Sequence, residues 1–376
     1  MLLISQIQNL VFSGGGQRGF AYVGALEALQ TRGLVLANLN GVGGASIGAL
    51  FSMLLCAGYT PGEMEQEMYA LDIYKIVDFN ITTLFQDYGL DDGRRLQKLL
   101  GKYLKQKQFK ATITFREMYA LTRMRLVVMG CNINTYDEYI MSHETTPDMR
   151  VADACHMSMC LPLLFSPIKH RNALYMDGGI VNNFPMQHFP ANNTLGFRLN
   201  WGVAFQINTI DQFFARLAYC ALGQSEYIQW LKLEDAHKLN TITIDVGDVS
   251  TVNLHMATAH KVLIVNKGKI SVLEAFAEAA AVSAASFTHP QVVRAPTPPP
   301  NHGLVPPPDR LVPPWHFPST PSVVPQPQPR PPTETETINI TPDTSSLITT
   351  IFTQLMVTLS WLVASRSVQE DEAPKK

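Results

Sequence analysis

Along the first part of the chain, short apolar runs alternate with longer stretches in which apolar residues recur every three or four positions. Gln8–Phe12 reads as a strand and Phe20–Thr31 as a helix that buries Phe20, Val23, Leu26 and Leu29. Gly41–Gly44 and Ile47–Ala57 repeat the pair, with Gly58 closing the second helix. Further strands are expected at Leu126–Cys131, Leu174–Met176, Leu195–Leu199, Thr241–Asp245 and Val262–Val265. Strands alternating with helices predict an α/β fold. Between Pro61 and Phe109 the pattern is helical and amphipathic, broken by a turn at Gly89–Gly93, and predicts an insertion over one end of the sheet.

The pattern then stops. Of 25 prolines, 18 fall between Pro290 and Pro342. A segment with so many fixed φ angles and missing N–H donors builds neither helix nor sheet. The expected organisation is a globular segment over residues 1–285, a Pro-rich linker over 286–345, a hydrophobic segment over 346–365 and a polar tail over 366–376. The linker reads as a spacer, although its P-x-x-P spacing also suits a proline-motif-binding protein. Leu347–Ala364 carries no charge over 18 residues, which as a helix would reach roughly 27 Å. Three readings of it stay open: a C-terminal membrane anchor, an amphipathic helix lying in the interface, and a helix that packs on the domain or on a copy of itself.

Composition narrows the partners. A formal net charge of -2, with only 16% charged residues, argues against nucleic-acid binding, which needs clustered cations. The 5 cysteines are scattered among apolar neighbours and read as reduced, buried thiols. The N-terminus lacks a basic region before its apolar residues, so a cleaved signal peptide is not expected. The expected location is membrane-associated, with the globular segment facing the cytoplasm and not secreted. No acidic loop has calcium-ligand spacing and no Cys/His set suits zinc, so neither metal nor cofactor is expected.

Three motifs could carry chemistry. Ser13-Gly14-Gly15-Gly16-Gln17-Arg18-Gly19 follows a strand and opens a helix, where exposed backbone amides hold an anion. The dinucleotide reading wants an acid about 20 positions on, yet Leu34–Gly44 contains none. No Gly-Lys-Ser/Thr follows, so the phosphate-loop reading fails too. An oxyanion hole and a purely structural turn remain. Gly44-Ala45-Ser46-Ile47-Gly48, again between strand and helix, has the nucleophile-elbow pattern G-x-S-x-G. Asp177-Gly178-Gly179 ends a strand, where an α/β sheet places catalytic groups, although on its own it signals a turn.

Together and in this order, the three motifs resemble the patatin-like phospholipase family. Thr114–Pro167, with its Ser158 and Pro162 block, is similar to that family's middle segment, and the resemblance spans roughly residues 7–277. It implies a three-layer fold, a central mostly parallel sheet flanked by helices. It also implies a Ser–Asp dyad in which Ser46 attacks an ester carbonyl and Asp177 takes its proton. Gly14, Gly15 and Gly16 would supply oxyanion-hole amides, and Arg18 matches a basic residue that could contact substrate or an anion. Met157 and Cys160 are larger than the small residues usual around Ser158, which leaves the pocket's shape open.

An aspartate with an ordinary pKa near ~3.9 is a weak base toward a serine hydroxyl. The dyad therefore needs a partly dry pocket that raises it. A Ser-His-Asp triad would have to use His188, His237, His255 or His260, none of which sits in a recognisable motif. The expected activity is a serine acyl-hydrolase that releases fatty acid from glycerophospholipid, brought to its substrate by Leu347–Ala364. Met64, Met68, Tyr69, Leu71, Ile73, Tyr74 and Phe85 could form an apolar cover for acyl chains, or pack as ordinary core. Two rivals remain: an inactive membrane-tethered interaction protein on the same scaffold, and a soluble carboxylesterase.

Overall fold

Alternation along the strands decides which face of the sheet each residue covers. In β1 (Asn9–Phe12), Leu10 and Phe12 enter the larger core while Val11 enters a smaller one on the opposite face. A computed structural model of the chain describes residues 1–77, 81–200, 223–247 and 256–288. The remaining strands are β2 (Gly41–Ala45), β3 (Gly89–Asp91), β4 (Arg125–Asn132), β5 (Asp137–Met141), β6 (Leu163–Phe165), β7 (Ile168–His170), β8 (Ala173–Asp177), β9 (Thr194–Leu199) and β10 (Thr241–Ile244). The central sheet has the order β10-β9-β1-β2-β4-β8-β7, parallel from β10 to β4. β8 and β7 are antiparallel additions, β5 folds back on β4 as a hairpin, and β3 pairs with β6 in a separate two-stranded sheet.

Helices cover both sides. α1 (Ala21–Thr31) and α2 (Ile47–Cys56) lie on the larger core, where α2 is buried along its whole length. The cover segment contributes α3 (Pro61–Ala70), α4 (Ile73–Ile76), α5 (Ile81–Asp87) and α6 (Arg94–Gln106). α7 (Phe115–Thr122) and α8 (Val151–Ser158) flank β4 and β5. Residues 223–232 form α9, followed by α10 (Asp235–Leu239) and α11 (Thr258–Thr288). On the opposite face Phe184, Met186, Phe189 and Leu233 seal the smaller core.

The sheet and its flanking helices form the expected three-layer α/β arrangement. Expectation and structure part at Val262–Val265, which lies inside α11, not in a strand. Ile264 and Val265 are buried while Val262 and Leu263 are exposed, a helical distribution that a four-residue apolar run conceals. The crossing of α11 with α1 is close enough that a Cβ at Gly24 or Gly268 would strike the partner's carbonyls, Val265 O and Ala21 O. Farther along α11, Lys261 Nζ donates to the carbonyls of Met68 (3.1 Å), Tyr69 (3.1 Å) and Leu71 (2.8 Å), closing the C-terminal end of α3. The cover segment is thereby tied to the helical layer.

The chain divides into two units, Met1–Pro290 and Gln291–Lys376. The second lies outside the described residues, and with it Leu347–Ala364 and the polar tail; of the Pro-rich stretch only residues 286–288 are described, as the end of α11. Among the described residues no helix is long and apolar enough to cross a membrane.

Candidate active site

β1, β2 and β9 run parallel, so the loops that leave their carboxyl ends gather at one edge of the sheet. The turn after β2 is extremely tight. A Cβ at Gly48 would collide with the Phe12 carbonyl, and one at Gly44 would lie 2.5 Å from the Gly48 carbonyl carbon. Ser46, between them, adopts φ 54° and ψ -123°, a region that costs a non-glycine residue about 1–3 kcal/mol. Its N–H donates to Ser158 Oγ at 2.9 Å, which holds the turn from α8. Although Ser46 stands at the N-cap of α2, its side chain makes no capping hydrogen bond, so the hydroxyl is left for another partner.

Asp177, 3% exposed at the end of β8, lines the same cavity as Ser46. Its backbone N–H donates to the Cys160 carbonyl at 3.0 Å, and its Oδ1 accepts the Gly179 amide at 2.8 Å. Burial raises its pKa from 3.8 to about 6, against the lowering effect of the Ser46 hydroxyl and the Gly179 amide. Oδ2 is buried and accepts no well-formed hydrogen bond among the described residues. One carboxylate oxygen is thus committed to the backbone, while the other keeps its capacity to take a proton.

The glycine loop supplies fewer amides than expected. The Gly14 N–H donates to the Asn183 carbonyl at 3.1 Å and is consumed by the fold. The amides of Gly15 and Gly16 enter no hydrogen bond among the described residues, and both residues line the cavity that holds Ser46 and Asp177. Arg18 also departs from expectation. It is only 2% exposed, and its guanidinium donates to the carbonyls of Gly15 (3.3 Å) and Asn200 (2.8 Å). Arg18 therefore braces the loop from behind and does not line the cavity. Ser13 is structural in the same way: its hydroxyl accepts the Leu199 N–H at 3.0 Å and meets Tyr22 Oη at 3.1 Å.

The cavity measures about 150 Å³ and is walled mainly by apolar side chains. Leu71 belongs to it, as the sequence suggested, whereas Met64 and Met68 are fully buried core residues. The other walls come from Leu96, Leu100 and Tyr103 on α6 and from Leu161, Leu164 and Phe165 around β6. The α6 residues recur at helical spacing, a signal already present in the sequence. Met157 and Cys160, expected to affect pocket shape, pack in the core instead, and Met159 lines the cavity. The side chains of Ile73, Tyr74 and Phe85 lie outside the described residues.

Among the described residues no histidine lines this cavity. His188 Nε2 pairs with Glu138 Oε2 at 3.1 Å, and His237 Nε2 meets the Phe189 carbonyl at 2.9 Å. His260 lies in α11, and His255 falls outside the described residues.

A sequence profile described as patatin-like phospholipase matches residues 10–190, which span the glycine loop, the elbow and the aspartate. Over that stretch, just under half of its length, the chain resembles the patatin-like phospholipase family. The probable lipid hydrolase 463L of Invertebrate iridescent virus 6 is 34% identical over 184 residues, 48% of this chain and 62% of that protein. The chain thus spans less than two thirds of that relative's length. The uncharacterized protein YqhO of Bacillus subtilis (strain 168) is 25% identical over 293 residues, 69% of this chain and 94% of its own length. The crystal structure of VipD from Legionella pneumophila shares the fold, with a TM-score of 0.55 at 19% identity, covering 73% of this chain and 67% of that one.

Proposed function

We propose that this patatin-like protein is a lipid acyl hydrolase that cleaves fatty-acyl esters of glycerophospholipids through a Ser46–Asp177 dyad. The observation that carries the reading is the shared cavity. A strained serine and a buried carboxylate raised to about 6 stand together where the walls are apolar.

The steps follow from the groups present. Ser46 Oγ attacks the ester carbonyl carbon while its proton passes to Asp177. The negative charge that develops on the carbonyl oxygen is met by the amides of Gly15 and Gly16, donors that need no reorganisation. Collapse of the tetrahedral intermediate breaks the ester C–O bond, and the proton held by Asp177 goes to the departing alcohol oxygen. Water then attacks the acyl-serine with Asp177 again as base, releasing fatty acid and restoring Ser46. An aspartate pKa near 6 suits this double duty, since the group must take and return a proton close to neutral pH.

The apolar walls accommodate an acyl chain and give little to a polar substrate. The name of the viral relative, a probable lipid hydrolase, agrees with that chemistry. Membrane delivery by Leu347–Ala364 belongs to the same proposal and rests on sequence alone: a tether of about sixty residues raises the local concentration of a lipid ester without adding contacts.

Product analysis with mixed phospholipid vesicles tests the reading. Free fatty acid and lysolipid should accumulate with the wild-type chain and not with Ser46→Ala. A well-folded wild-type chain that neither releases fatty acid nor reacts with a fluorophosphonate would point instead to an inactive scaffold. Vesicle sedimentation before and after removal of residues 347–376 separates the tethered enzyme from a soluble esterase.

A further inference from the structure

Helix α9 lies outside the residues that match the family profile, yet three of its side chains hold the loop that follows Asp177. Ser225 Oγ donates to the Ile180 carbonyl at 3.0 Å, and Gln229 Nε2 donates to the Val181 carbonyl at 2.9 Å. Between them Glu226, 2% exposed, accepts the Asn183 side-chain amide at 2.5 Å. Residues 225, 226 and 229 share one face of the helix, so all three grip the loop that follows Asp177.

Asn183 passes this grip to the glycine loop. Its carbonyl accepts the Gly14 N–H at 3.1 Å and its Nδ2 donates to the Gly14 carbonyl at 3.3 Å. The same Nδ2 serves Glu226 and Gly14, two acceptors that allow only one orientation of the amide. The second oxygen of Glu226 takes Arg198 Nε at 2.6 Å, and the Arg198 guanidinium stacks 4.8 Å from the Trp230 ring centre. Such a buried ion pair adds little net stability, because desolvation offsets most of the attraction. Its geometry, however, is tightly specified. Glu226 itself does not line the cavity, whereas Asn183, which it holds, does.

We infer that Glu226 is a positioning residue: through Asn183 its carboxylate fixes the glycine loop, and with Ser225 and Gln229 it fixes the loop behind Asp177. Helix α9 thereby sets the spacing between the oxyanion-binding amides and the base. The inference rests on the hydrolase reading for its catalytic consequence, though not for the clamp itself.

The test uses the full chain with p-nitrophenyl butyrate, together with amide hydrogen exchange. Glu226→Ala is expected to lower kcat by about 100-fold, the scale of a small misplacement of reacting groups, with KM changed less than about threefold. Exchange should quicken at Gly14, Val181 and Asn182, whose amides are hydrogen-bonded in the clamped loops, while β1 and α1 stay protected. Glu226→Gln offers one acceptor oxygen to two donors, Asn183 Nδ2 and Arg198 Nε, and should lose kcat in the same direction as Glu226→Ala. Wild-type kcat in Glu226→Ala or in Glu226→Gln, or unchanged exchange at Gly14 and residues 181–182 in Glu226→Ala, would overturn the inference. If Glu226→Ala does not fold, Gln229→Ala replaces it and should show a several-fold loss in kcat with the same local exchange; wild-type kcat and exchange there would overturn the inference. A wild-type chain without esterase activity would defeat the hydrolase reading alone. The exchange pattern would then decide the clamp: local quickening supports it and unchanged exchange refutes it.

Discussion

Ala45 and Asp177 meet end to end along a third strand. Ala45 pairs with Met129 and Asp177 pairs with Gly130, the next residue of β4. β5 occupies the other edge of β4 over residues 128–132, so β8 takes up the edge that β2 vacates and runs toward it. Ser46 follows Ala45 directly, so serine and aspartate are delivered to one point by the register of three strands. Loops alone would place them less reproducibly.

The proposed Ser46–Asp177 dyad would need no histidine. Ser46→Ala and Asp177→Asn are each expected to remove ester hydrolysis, while His188→Ala should keep most of it because His188 is engaged with Glu138. Steady-state rates on a phospholipid substrate decide the matter. A folded His188→Ala protein without activity would replace the dyad by a triad.

In the proposed dyad Asp177 would act as a base only when ionised, and burial raises its pKa to about 6. The rate of fluorophosphonate labelling at Ser46 should therefore rise with pH through about 6 and flatten above about 7. A midpoint near the ordinary carboxylate value of ~3.9 would show that the carboxylate is not the controlling group.

The same shift has a cost in stability. Because the folded pKa lies above the unfolded one, the native state holds the proton more tightly. The resulting stabilisation is complete below about 3.8 and is lost as pH rises through about 6. Asp177→Asn, which never ionises, should gain about 3 kcal/mol over the wild type at pH 8 and almost nothing at pH 4. Urea unfolding at the two pH values measures the difference, and equal gains at both would remove burial of charge as the cause.

Glycines of the elbow and of the cover should respond differently to alanine. Gly48→Ala places a methyl group against the Phe12 carbonyl and is expected to cost at least about 3 kcal/mol. Gly62→Ala in α3 meets nothing within 4 Å and should be neutral or stabilising by about 0.5–1 kcal/mol. Thermal melts of the two variants provide the comparison.

Ser158→Ala leaves the Ser46 N–H without its acceptor, at a cost of about 1–3 kcal/mol. Freed from that bond, the elbow can relax from its strained φ, and kcat should fall about tenfold, roughly 1.4 kcal/mol in the barrier, with KM little changed. Unaltered kcat would mean that the glycines alone hold the nucleophile.

Several features were legible from residue order because they depend on local backbone chemistry. Gly44 and Gly48 announce a turn too tight for side chains, and Asp177-Gly178-Gly179 ends its strand in the expected turn. The short run at Val262–Val265 was ambiguous for the same reason: four apolar residues do not distinguish a strand from one turn of a buried helix.

What neighbouring residues could not decide was which polar groups would already be spent. Gly14 loses its amide to Asn183, Arg18 turns inward to carbonyls, and Glu226 grips the loops from a helix far along the chain. Periodicity and motif spacing determined the strand-turn-helix units and named the serine and the carboxylate. Only the tertiary structure brought them together through β4, chose Gly15 and Gly16 as the open amides and dried the carboxylate. Hydrogen-bond satisfaction and desolvation depend on contacts between distant segments, and the chain order carries no record of those contacts.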